Sequence, residues 1–123
     1  MSTNQVRIAG TGVLYLLIFV SGIRLTRSGK PYSAVLLAIH KLISLAAVAW
    51  LVVTMVQTHQ VIHLGSMAVA AGVVTGLFFV GTIASGGLLS TDRPMPAAIR
   101  AAHRINSALT VLSTAVTFLL IRR

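Results

Sequence analysis

The sequence predicts an all-α integral membrane protein: one up-down-up-down bundle of four transmembrane helices, built from two helical-hairpin repeats. Three observations predict it. Four apolar runs, residues 8–23, 34–56, 64–89 and 97–121, take up most of the 123 residues. The connections between them are short and hold turn-forming residues. One motif occurs twice, sixty-three positions apart: Lys30-Pro31, eight residues, His40-Lys41-Leu42-Ile43-Ser44, and Arg93-Pro94, eight residues, His103-Arg104-Ile105-Asn106-Ser107.

The composition sets the solvent. The chain is 56% hydrophobic and 9% charged, where soluble domains carry about 25% charged residues. A helix crosses a bilayer with ~20 apolar residues. The last three runs reach that length, and the first does so once its flanks are counted. One Arg precedes the first run and no A-x-A-like site follows Gly22, so this run reads as a retained span and not a cleaved leader. The first connection, residues 24–32, carries Thr26, Ser28, Gly29 and Pro31, which are turn and helix-start residues. The second, residues 57–63, has no Lys or Arg. The third, residues 90–96, holds Asp92, Pro94 and Pro96, with Thr91 or Asp92 placed to cap the fourth helix. Connections this short make consecutive helices antiparallel neighbours.

The repeat extends beyond the histidine motif. Thr11-Gly12, eight residues, Ser21-Gly22 in the first span matches Thr75-Gly76, eight residues, Ser85-Gly86 in the third. The shift here is sixty-four positions, so one residue is gained or lost between the two motifs. The chain is expected to be a single domain, 1–123, with repeat 1 at 1–58 and repeat 2 at 59–123. Each repeat crosses the membrane twice, which gives both copies the same orientation. The second and fourth spans then run parallel, and a pseudo-two-fold axis sets His40 and His103 at one depth, facing each other.

Several function classes drop out. Asp92 is the only acidic residue, so no carboxylate pair exists for acid–base work and no Ser-His-Asp arrangement is available. The chain has no cysteine, which removes disulfides, iron–sulfur clusters, covalently attached haem and thiol catalysis. No catalytic residue is expected. The net charge of +9 invites a nucleic-acid reading, but the cations sit at the ends of apolar spans, where they anchor a helix to headgroups. No nucleic-acid partner is expected. The side of the first and third connections carries Arg24, Arg27, Lys30, Lys41, Arg93, Arg100 and Arg104, and the other side Arg7, Arg122 and Arg123. Seven against three places the connections in the cytoplasm and both termini outside a cytoplasmic (inner) membrane.

An ionisable side chain inside a membrane span is costly and by default marks a function. Two such histidines, in matched motifs at matched depth, read as the two axial ligands of one haem: His40 and His103 on the iron. Haem propionates need cations in an apolar site. Lys41 and Arg104 follow the histidines directly, Arg100 lies one turn before His103, and Lys30 and Arg93 stand at the interface. Small residues give a porphyrin room, and Gly22, Gly86, Ser44 and Ser107 are placed for that, with Gly12 and Gly76 further along.

His59 and His63 are spaced i, i+4, but two ligands without a third make a poor metal site. They read as polar residues at headgroup level, and a second haem on them is not expected. The hydroxyl stripe Ser107, Thr110, Thr114 and Thr117, on the face of Arg100 and His103, reads as helix packing before a quinone or water path. Trp50, Tyr15, Phe19, Phe78 and Phe79 read as bundle packing or lipid contacts.

Four helices, histidines paired across parallel spans and neighbouring basic residues resemble the bacterial four-helix membrane b-type cytochromes, of the cytochrome b561-like kind. The specific content of the resemblance is the two H-[KR]-[LI]-x-S segments. It implies one non-covalent haem b and electron exchange with quinol or a partner protein, a non-catalytic electron-transfer role in which the cofactor carries the chemistry. Many relatives hold two histidine pairs, and this chain has one. Two other classes compete: a structural or assembly subunit of a larger membrane complex, and a small cation transporter, which needs a membrane-embedded carboxylate that no span supplies. The expected partners are the lipid bilayer, a quinone or redox protein, and a second copy of the chain or the other subunits of a complex.

Overall fold

The computed structural model describes residues 1–122; Arg123, counted above among the cations of the outer side, lies outside the described residues. These form four α-helices: α1 (Thr3–Ser28), α2 (Ala34–Ile62), α3 (Ser66–Leu89) and α4 (Ala97–Ile121). No strand occurs among the described residues. All four helices are long and apolar enough to cross a membrane.

The distribution of side chains makes this a multi-pass membrane protein. Among the described residues the buried polar ones are Thr11, Ser21, Thr54, Thr58, Thr75, Ser85, Thr110, Thr114 and Thr117, against five buried apolar ones, Leu25, Ala47, Ala68, Phe79 and Ile121. Leu16, Leu42, Leu77 and Leu112 are 63%, 65%, 66% and 62% exposed. In water that arrangement is inside out. Between lipid tails no hydrophobic force draws leucine inward, and small hydroxyl residues let helices approach.

Helix ends follow capping chemistry more than apolarity. The first helix begins before its apolar run because Ser2 and Gln5 form a capping box: Gln5 N–H donates to Ser2 Oγ at 3.3 Å and Ser2 N–H to Gln5 Oε1 at 2.8 Å. It ends at Gly29, whose φ of 68° suits glycine and whose N–H donates to the Leu25 carbonyl at 3.2 Å. The expected second connection, 57–63, is corrected: most of it is helix. Thr58 is buried and its hydroxyl donates to the Thr54 carbonyl at 2.7 Å, so polar residues here prolong α2. The connection shrinks to His63-Leu64-Gly65, with His63 at φ 46°.

The expected cap of the fourth helix is corrected too. Thr91 Oγ1 donates to the Leu88 carbonyl at 2.8 Å and so finishes α3. The N-cap position of α4 is Pro96, with no side-chain cap, and Asp92 lies four residues upstream of it. Proline there needs no donor and fixes an extended φ just before the helix.

The chain divides into two compact units, Met1–Val53 and Thr54–Arg123. In the first, α1 and α2 run antiparallel: Ser21 meets His40 while Thr11 meets Trp50. In the second, α3 and α4 do the same, with Ser85 meeting His103, Thr82 meeting Thr110 and Thr75 meeting Thr117. The boundary falls within α2, a few residues before the repeat junction expected after residue 58.

Candidate functional site

Each unit holds one of the motif histidines in a seat made by the preceding helix. In the first unit, Ser21 on α1 is buried and its hydroxyl lies 2.8 Å from the Leu17 carbonyl and 3.0 Å from that of Ile18. The same oxygen lies 2.8 Å from His40 Nδ1. The next residue, Gly22, passes under the ring: a Cβ there would stand 3.1 Å from His40 Cε1. On α2 the motif serine, Ser44, donates to the carbonyl of His40 itself at 2.8 Å.

The second unit holds His103 with the same parts. Ser85 on α3 lies 2.8 Å from the Gly81 carbonyl and 3.1 Å from that of Thr82, and its oxygen is 3.1 Å from His103 Nδ1. His103 Nδ1–H also donates to the Thr82 carbonyl at 3.0 Å. A Cβ on Gly86 would stand 3.0 Å from His103 Cε1. Ser107 donates to the His103 carbonyl at 2.7 Å. Both rings are half-buried.

The one-residue difference between the motifs has a structural place. Each histidine is the sixth residue after the first of its helix, Ala34 or Ala97. But His40 comes nineteen residues after Ser21, and His103 eighteen after Ser85. The mismatch is absorbed where the chain turns, α1 running on to Ser28 and α3 stopping at Leu89.

No protein family, no curated protein and no solved structure matches this chain.

The cations Lys30, Lys41, Arg93, Arg100 and Arg104 are all exposed. Arg100 Nη1–H reaches the Met95 carbonyl at 3.4 Å, and Lys30 Nζ stands 5.8 Å from the centre of the Tyr32 ring. Lys41 and Arg104 follow the two histidines along their helices, one in each unit. Gly12 and Gly76 have no neighbour within 4 Å of where a Cβ would stand, so they are not close-approach points.

His59 and His63 have a different task. They are exposed at the C-terminus of α2. Leu64 N–H donates to His59 Nδ1 at 3.2 Å, His63 Nδ1–H donates to the His59 carbonyl at 3.1 Å, and the rings stack with centres 5.6 Å apart. Those bonds satisfy helix-end groups. No cluster of three metal-ligating residues exists among the described residues.

The hydroxyl stripe of α4 is packing. A hydroxyl has one hydrogen. Those of Thr110, Thr114 and Thr117 lie on carbonyls one turn back at 2.7, 2.7 and 2.9 Å, while the cross-helix oxygens are 3.3 Å away at Thr75 and 3.4 Å at Thr82. A chain of hydroxyls already committed to backbone offers no relay of protons.

Sequence reasoning noted Ser21 and Ser85 in the repeat but did not join them to the histidines. Their constant place one residue before Gly22 and Gly86 was the available signal. The Thr82 carbonyl is backbone and has none.

Proposed function

We propose that this chain is a membrane b-type cytochrome: it binds one non-covalent haem b through His40 and His103 as axial ligands and passes electrons to or from a quinol or partner protein. The observation that carries the reading is the matched seat, a serine oxygen on Nδ1 and a glycine beneath Cε1, reproduced in both units around the two motif histidines. Two imidazole ligands would make haem iron six-coordinate and low-spin. The donor set fits haem: imidazole nitrogen in an apolar setting, no competing carboxylate in any span, and a basic residue directly after each histidine for a propionate. Bound haem would supply one-electron chemistry. The chain's part is to hold the imidazoles, to neutralise the propionates through Lys41 and Arg104, with Arg100, Lys30 and Arg93 in reserve, and to exclude water. On this reading the four helices form an up-down-up-down bundle of two hairpin repeats.

The absorption spectrum of the purified protein, oxidised and reduced, tests this directly. His40→Ala or His103→Ala abolishes the low-spin six-coordinate spectrum, while His59→Ala and His63→Ala leave it intact, since the latter pair caps α2. Equal loss from all four, or no Soret band in the parent chain, overturns the assignment and favours a structural or assembly subunit.

The cation asymmetry supports a cytoplasmic-membrane orientation with both termini outside. A tag on Met1 is then reachable from outside, and Ser28→Cys is labelled only from the cytoplasm. An impermeant reagent giving the reverse pattern refutes the orientation.

A further inference from the structure

We infer that Ser21 and Ser85 are positioning residues that hold His40 and His103 as the Nδ1–H tautomer and so make Nε2 the electron-pair donor of both rings. The hydrogens can be counted. Ser21 has one hydroxyl hydrogen, and the Leu17 carbonyl at 2.8 Å can only accept it. Ser85 has one, and the Gly81 carbonyl at 2.8 Å can only accept it. With that hydrogen assigned along its own helix, as the Thr82 carbonyl on Nδ1 requires at the matched seat of His103, each serine oxygen faces the imidazole with lone pairs alone. The contacts of 2.8 Å to His40 Nδ1 and 3.1 Å to His103 Nδ1 therefore need the proton on nitrogen.

His103 supplies the deciding contact. Its Nδ1 also lies 3.0 Å from the Thr82 carbonyl, which has no hydrogen to give. A neutral imidazole protonated at Nδ1 carries its lone pair on Nε2. Gly22 and Gly86 pack against the same edge of each ring: a Cβ there would lie 3.1 and 3.0 Å from Cε1. An acceptor on the far nitrogen also raises the basicity of the donor nitrogen and orients the ring. The serine that precedes each glycine in the repeat thus has a chemical reason to be a serine.

The tautomer assignment stands without haem; only the step that makes Nε2 the iron ligand rests on the proposed function. Two measurements separate them. The first is nitrogen-15 NMR of the haem-free full chain, with labelled imidazoles, in lipid nanodiscs, assigned by single histidine substitutions. His40 and His103 show protonated Nδ1 and bare Nε2. Ser21→Ala shifts His40 toward the other tautomer or broadens it, and Ser21→Thr, which keeps the hydroxyl, restores it; Ser85→Ala shifts His103 less, because the Thr82 carbonyl at 3.0 Å still holds the Nδ1 proton. The second is haem titration with redox potentiometry. Loss of either serine weakens haem retention by roughly 10–100-fold and raises the midpoint potential, because a less basic imidazole stabilises ferric iron less. Protonated Nε2 in the parent chain overturns the inference, as does a Ser21→Ala variant whose His40 tautomer is identical to the parent's. A correct tautomer with no haem uptake overturns the proposed function and leaves the inference standing. Low-spin haem with the wrong tautomer does the reverse.

Discussion

The two hairpins are alike at the histidine end and unlike at the other. In the first, Trp50 closes the far end: its indole N–H donates to Thr11 Oγ1 at 3.2 Å and to the Arg7 carbonyl at 3.4 Å, and the ring lies over Gly10. The second hairpin has no tryptophan. Its helices meet through Thr75 and Thr117, oxygens 3.3 Å apart, and through Thr82 and Thr110 at 3.4 Å. Thr11 and Thr75 are matched in the repeat, yet one receives an indole and the other a hydroxyl. Packing alone was met in two ways. At the histidine end both hairpins use a serine oxygen at Nδ1 and a glycine nearest Cε1, with the Thr82 carbonyl added on His103.

The largest expected effect that tests the contrast is at the glycines. A Cβ on Gly10 would lie 2.6 Å from Trp50 Cζ2 and 3.0 Å from Cε2, against a rigid ring held by two hydrogen-bond acceptors. In the second unit, a Cβ on Gly72 would also lie 2.6 Å from its neighbour, but that neighbour is the terminal methyl of Met55. Methionine bends out of the way at little cost. Overpacking against fixed atoms costs about 1–3 kcal/mol. Gly10→Ala should therefore destabilise the protein by about 2 kcal/mol, and Gly72→Ala by less than about 0.5 kcal/mol on the same overpacking scale, read by denaturant unfolding in micelles. Equal losses would mean that the tryptophan end is as yielding as the methionine end, and the contrast would be one of residue names only.

How far the fold could be read in advance follows the same division. Apolar runs located four helices, and α4 begins and ends where its run does, Ala97–Ile121. The ends of α1 and α2 were missed because apolarity does not register a capping box at Ser2 and Gln5, or a buried Thr58 bonded back to Thr54. The two motif histidines stood out in the sequence, since a costly residue repeated in matched motifs has few innocent explanations, and the structure seats each against a serine. The serine contacts were legible in part: Ser21 and Ser85 stood in the repeat, but the one-residue slip between motifs hid which serine faces which ring atom. The role of His59 in receiving Leu64 N–H depends on the backbone turn at His63, with φ 46°, which spacing does not encode.

The smallest effect is the sharpest test, because it turns on where single hydrogens lie. In the second hairpin the hydroxyl hydrogens of Thr75 and Thr117 sit on the carbonyls of Ala71 and Ser113, both at 2.9 Å, nearer than the 3.3 Å between the two oxygens. No hydrogen is left for the gap, so the pair touches without a hydrogen bond. In the first hairpin the indole N–H is shared between Thr11 Oγ1 at 3.2 Å and the Arg7 carbonyl at 3.4 Å, and Thr11 Oγ1 can accept it because its own hydrogen lies on the Arg7 carbonyl at 2.9 Å. A net hydrogen bond is worth about 0.5–1.5 kcal/mol, and cross-helix ones in membranes average ~0.6 kcal/mol. A double-mutant cycle of Thr11→Val with Trp50→Phe should then give a coupling of about 0.6–1 kcal/mol. The cycle of Thr75→Val with Thr117→Val should give a coupling of less than about 0.3 kcal/mol, within the range of additive sites. A coupling in the threonine pair as large as in the tryptophan pair would place a shared hydrogen between Thr75 and Thr117. That would restore a hydroxyl path through the second hairpin, which the carbonyl distances argue against, and would make the two far ends two forms of one hydrogen bond.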